Sequence, residues 1–312
     1  MRFWVERRSG MKPTVPGGGD RPLAGILHAI GAAVALAAID VVSKFVVGQL
    51  PAAQMLGLRA AFVMLLLLPF FRAAGGFALF RTRHLSIHLV RTACQMAAML
   101  SFFFALQHLP LATVVALGFT SPIFATALAV PILGEKVGPG RWAAVLLGFA
   151  GTLVVVDPWS ARFEPVALLA LLAALGWGLA QTLSRVLTRS ESDAAILLFM
   201  NTGLLVGLGA AAALVWTPPG AIDVALCGVL AVLLLAAQWF LLRAVRLAPL
   251  AVVAPFQYLE LPLAIAGAWV IWRELAGGHV FAGAALIAAS GLLVVVLERR
   301  RARGAARAGA VP

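Results

Sequence analysis

The chain has 312 residues, 62% of them hydrophobic and 12% charged, with a formal net charge of +12. Soluble domains are about half apolar and a quarter charged, so this balance excludes one. The basic residues sit in tails and short loops beside apolar runs, so the charge reports membrane topology rather than nucleic-acid binding, and two cysteines inside apolar runs, Cys94 and Cys227, make neither a disulfide scaffold nor a metal site.

Residues 1–22 are basic and then rich in Pro and Gly, which predicts a flexible cytoplasmic tail. The apolar run that follows is too long for the core of a signal peptide, so the tail is expected to be retained. A bilayer core about 30 Å thick takes about 20 apolar residues per helix. The runs do not alternate with period two, so they predict helices and not barrel strands. Ten helices are predicted in chain order, at about 23–48, 53–71, 86–108, 110–133, 141–157, 164–187, 193–216, 222–246, 249–272 and 279–298. Pro51, Pro110, Pro139, Pro158, Pro218 and Pro249 fall between them, and a basic cytoplasmic tail, 299–312, ends the chain. Lys and Arg crowd alternate connections, whereas the other set holds only Arg162 and Arg273. The positive-inside rule therefore places both termini in the cytoplasm, as an even number of spans requires. Arg91, near a cytoplasmic helix end, is expected to snorkel to the headgroups.

The two halves of the chain resemble each other. A shift of 139 positions lays Ala105, Pro110, Leu111, Ala112 and Val114 on Ala244, Pro249, Leu250, Ala251 and Val253, and Glu135 on Glu274. Earlier in each half a shift of about 141 lays Ser43 and Lys44 on Ser184 and Arg185. A repeat of five helices is odd, so the second copy enters the membrane from the opposite side. The expected fold is an all-α membrane protein of ten transmembrane helices in two five-helix inverted repeats, an arrangement that lets two similar halves open one central site to either side.

The stretches "AIDVVSKFV", "LPLATVVALGFTSPIFATALAVPILGEKVG" and "APFQYLELPLAIAGAWVIWREL" resemble the drug/metabolite transporter superfamily, and within it the EamA-type transporters, from about residue 23 to 298. The resemblance implies EamA-like repeats over 23–157 and 164–298, in a bacterial cytoplasmic (inner) membrane. It implies a secondary transporter of a small polar or zwitterionic metabolite, working by alternating access with proton coupling or exchange. Members with this pattern move S-adenosylmethionine, riboflavin, amino acids or opine-type metallophores. No cofactor or metal is expected, and the partners are a small-molecule substrate, the bilayer and a coupling proton.

Two acidic residues lie well inside the helices, Asp40 and Glu260. A carboxylate in hydrocarbon costs several kcal/mol, on the order of 3, so such residues usually face a cavity and act there. Glu260 is near the midplane, about 16 Å past Pro249 at about 1.5 Å per residue. It is expected to bind a proton or a cationic group, the alternative being a polar prop for the break at Pro262. Asp40, Lys44 and Arg59 have similar depths on adjacent helices and are expected to form an ion cluster, either a brace or a gate. Gln257 and Tyr258 flank the glutamate, and the repeat sets Thr120 and Ser121 opposite it. Trp177, Gln181, Asn201, Gln95 and Gln238 complete the expected lining, though each polar group there also suits a bond between helices. Glu135 and Glu274 read as interfacial charges. Two other functions compete. An intramembrane enzyme would use the buried acids, but the chain has no H-E-x-x-H or G-x-S-x-G motif. A sensor or structural membrane protein would need a soluble domain to carry its signal, and no run leaves room for one.

Overall fold

Hydrocarbon offers the backbone no hydrogen-bond partner, and the chain satisfies its own amides by winding into helices. The computed structural model describes residues 22–134, 138–160, 163–188, 190–248 and 250–308. The N-terminal tail before Pro22, together with Glu135, Arg162, Arg189 and Pro249, lies outside the described residues. In order the helices are α1 (Pro22–Val47), α2 (Ala52–Ala73), α3 (Leu85–His108), α4 (Leu111–Gly118), α5 (Ser121–Leu133), α6 (Pro139–Val156), α7 (Ala167–Leu187), α8 (Asp193–Leu214), α9 (Ala221–Leu247), α10 (Leu250–Gln257), α11 (Glu260–Trp272) and α12 (Gly278–Ala308). Among the described residues nine helical stretches are long and apolar enough to cross a membrane, with α4 and α5 taken as one, and α11 is a shorter apolar helix. The chain is an integral, multi-pass, all-helical membrane protein.

Three features depart from the ten expected helices. The fourth and ninth each consist of two helices, α4–α5 and α10–α11. Pro122 and Pro262 explain the breaks: each lacks an amide hydrogen and its ring crowds the carbonyl four residues back, at Gly118 and Tyr258. The last helix runs to Ala308, well into the expected basic tail, and a 3-10 turn over Gly76–Phe80 occupies the connection before α3.

Helix pairs set the architecture: α1 lies along α9, α3 along α7, α2 along α8 and α6 along α12. Lipid-facing positions are apolar, with Leu65, Leu146, Val232 and Val270 exposed. The buried faces are rich in alanine and glycine, because helices in lipid associate by close packing rather than by escape from water. Helices α6 and α12 approach backbone to backbone. A Cβ on Gly151 would lie 2.7 Å from the carbonyl oxygen of Gly283, and one on Gly283 would lie 2.6 Å from that of Gly151. Gly151→Val is therefore expected to destabilise the protein by about 2 kcal/mol through overpacking. A thermal unfolding curve of the detergent-solubilised variant that overlays the wild-type curve would contradict this close approach.

Arg91 departs from its expected place. It is buried rather than snorkelling, donating from Nε to Ser184 Oγ at 2.6 Å and from Nη1 to the Ile196 carbonyl at 3.4 Å. It clamps α3 to α7 and α8.

Candidate functional site

The two helix breaks lie side by side. Phe119, between α4 and α5, packs against Tyr258, between α10 and α11, with the rings tilted and their centres 5.3 Å apart. These residues are 139 positions apart, the same shift that lays Pro110 on Pro249. Beside them, a cavity of about 330 Å³ is lined by α1, α2, α3, α4, α7, α8, α9 and α11. Its lining follows helical spacing on each element: Leu36, Ile39 and Asp40 on α1, and Gln95, Met99 and Phe102 on α3.

Glu260 begins α11 and projects into this cavity, half-buried. Its position in the first turn also suits the positive end of the helix dipole. Asp40 of α1 is 7% exposed, and its carboxyl interacts with that of Glu260. Asp40 Oδ2 has no hydrogen-bond partner among the described residues. Arg59 of α2, 5% exposed, is close enough for its charge to act on Asp40, yet the two form no direct ion pair. Its guanidinium lies over the Phe103 ring, 5.3 Å from the centre, and Nη2 is 4.0 Å from Met99 Sδ. A buried arginine held by an aromatic face and a thioether keeps most of its donors unused, which leaves them available to a ligand.

Of the residues expected to line a site, Glu260, Trp177, Asn201, Gln95 and Gln238 meet at this cavity, joined by Asp40 and Arg59. The structure keeps the others apart from it. Thr120 donates to the Leu117 carbonyl at 2.6 Å, so its hydroxyl is consumed at the helix break. Ser121 accepts from Gln181 Nε2 at 3.2 Å, a bond that ties α5 to α7. Tyr258 packs on Phe119 and against Gly291 of α12, and Gln257 ends α10 outside the cavity lining.

The expected three-residue ion cluster is divided. Lys44 lies one turn beyond Asp40, and its Nζ donates to both carboxylate oxygens of Glu274 at 2.7 and 2.5 Å. Nζ also reaches the Leu109 carbonyl at 3.4 Å and lies 5.4 Å from the centre of the Trp272 ring. Glu274 Oε2 accepts from the Leu111 amide at 3.4 Å. Glu274, read from sequence as an interfacial charge, thus joins the end of α1 to the α3–α4 connection and the end of α11. Sequence reasoning also missed the aromatic wall, Phe102, Phe103 and Phe119. Counting seven residues from Gln95 along one face of α3 leads to Phe102, a signal that was available.

Three comparisons bear on this arrangement. Residues 23–157 match the EamA-like transporter family. A riboflavin transporter of Rhizobium johnstonii is 34% identical over 288 residues, covering 91% of this chain and 94% of the relative. A riboflavin transporter of Vibrio cholerae is 29% identical, covering 90% and 96%. An S-adenosylmethionine uptake transporter of Rickettsia conorii is 27% identical, covering 86% and 90%. A solved crystal structure with 17% identity superposes with a TM-score of 0.60, covering 89% of this chain and 98% of the other, a likeness of fold.

Proposed function

We propose, for a chain that belongs to the EamA-like transporter family, that the central cavity carries a small polar metabolite across the bilayer by alternating access. Transport of a small metabolite is the activity, and the cavity is where the substrate binds. The observation that carries this reading is the meeting of two broken helices beside a cavity that holds Glu260. Interrupted helices at the interface of two repeats are where transporters build substrate sites near the midplane.

Ten spans in two inverted repeats, 23–157 and 164–298, fit the packing. The pairing of α1 with α9 has its counterpart in α7 with α3, while α2 with α8 and α6 with α12 pair equivalent helices of the two halves. Each half breaks at the same point of the repeat, at Phe119 and at Tyr258. With the basic connections inside, both termini face the cytoplasm of a bacterial inner membrane. Asp40 and Glu260 form the coupling element: two facing carboxyls accommodate one proton, or one cationic group, between them.

Riboflavin is the first substrate to test, because its planar ring suits a cavity walled by Phe102, Phe119 and Trp177 and because transporters of that name align along nearly the whole chain. The carboxyl pair favours a second candidate, the cationic S-adenosylmethionine. Purified protein in liposomes is expected to take up radiolabelled riboflavin saturably and in competition with unlabelled riboflavin. Uptake of S-adenosylmethionine alone selects the second candidate. Uptake of neither by well-folded protein overturns both.

A further inference from the structure

The cavity is chemically divided along the helix axes. Asp40 is seven residues before the end of α1 and Arg59 seven after the start of α2, about 10 Å from the end of the bundle where those helices join. Gln95 and Asn201 are ten and eight residues past the starts of α3 and α8, and Gln238 is nine before the end of α9. Those three helix ends share the opposite side: α2 leads there into α3, Thr82 donates to Glu191 at 2.6 Å across the connections that precede α3 and α8, and α9 returns there from the end of α8. The amides are therefore about 12–15 Å from that side. Asp40 and Arg59 on the one hand and the three neutral amides on the other occupy two layers roughly 10 Å apart in depth, with Glu260, ten residues past the start of α10, nearer the amides and Trp177 packed against Phe102 at 5.0 Å in the shared wall.

The amide layer has unspent hydrogen-bonding capacity. Gln95 and Gln238 make no side-chain hydrogen bond to any described residue, and both face the cavity. Asn201 donates to the Leu197 carbonyl at 2.8 Å and keeps its side-chain oxygen free to accept. An amide presents a donor and an acceptor side by side, and three on separate helices match an uncharged ring edge that alternates acceptors and donors.

We propose that Gln95, Asn201 and Gln238 form the specificity subsite of the transport cavity, reading the uncharged donor–acceptor edge of a planar heterocycle while its polar chain extends toward Asp40 and Arg59. The inference rests on the cavity being the transport site. Both a pyrimidinedione edge, as in a flavin, and an aminopyrimidine edge, as in adenine, have this chemistry. A site that bonds such an edge discriminates against an analogue that lacks it, because the bonds to that edge are lost.

The test measures competition with the transported label by ring fragments. Lumichrome and its N3-methyl derivative are used against riboflavin, and adenosine and N6,N6-dimethyladenosine against S-adenosylmethionine; the arm that competes identifies the source of the ring edge. The unmethylated fragment is expected to compete about tenfold better than the methylated one in the wild type, and Gln238→Leu and Gln95→Leu are expected to erase that ratio. A general packing defect would weaken both fragments equally and preserve the ratio. Equal competition by methylated and unmethylated fragments in wild-type protein, or an unchanged ratio in both variants, overturns the subsite. Wild-type transport by Glu260→Gln would instead remove the carboxyl from the transport reading beneath it and leave that side chain only the support of the helix break.

Discussion

Glu260→Gln is expected to remove gradient-driven accumulation of substrate, lowering it about tenfold or more, in a protein that still folds. The substitution keeps shape and hydrogen-bonding capacity but removes the charge. Glu260 is the first residue of α11, on the break that Pro262 imposes, and its carboxyl faces that of Asp40. A proton held between the two would link substrate movement to the proton gradient. Its loss would abolish accumulation driven by an imposed pH difference while counterflow of labelled against unlabelled substrate continues. A cationic substrate group held there instead would show in the variant as a higher KM in both assays. Accumulation and counterflow equal to wild type would leave the carboxyl with only the structural role of supporting the break.

Separating Lys44 from Glu274 is expected to produce the second large effect, this time on the conformational cycle. The pair spans 230 residues of sequence and fastens α1 to the end of α11, with the Leu109 carbonyl and Leu111 amide drawn in from the α3–α4 connection. Lys44 is mostly buried and Glu274 about a third exposed. The cost of an unpaired partner is therefore well below that of a fully buried pair, about 1–2 kcal/mol, or roughly tenfold in a conformational equilibrium. Lys44→Glu and Glu274→Lys should each lower thermal stability and slow uptake. The exchange Lys44→Glu with Glu274→Lys should recover part of both losses. Strict additivity in that cycle would mean that the two charges do not communicate.

The membrane class, the approximate positions of the apolar helices and the break at Pro262 were legible in the sequence, and the reason is the solvent. Hydrocarbon forces each backbone to close its own hydrogen bonds, so a long apolar run determines a helix without help from its neighbours. Pro122 and Pro262 likewise act within one turn of their own chain. The buried carboxylates Asp40 and Glu260 also stood out, because an acid is costly anywhere in an apolar run.

Which side chains meet was decided by tertiary structure. Helices apolar on every side, like most of these, do not mark which face points inward. Thr120, Ser121, Gln181 and Tyr258 were therefore equally plausible as lining, and the packing of α4 and α5 against α7 and of Tyr258 against α12 turned them to structural bonds. Lys44 had Asp40 one turn away on its own helix, yet its partner is Glu274, because the side chain of Lys44 extends toward the end of the bundle where α11 finishes. Sequence spacing determines which residues share a helix face. The choice of partner across helices depends on the angle and depth at which separate helices pack, and that information exists only in the assembled bundle.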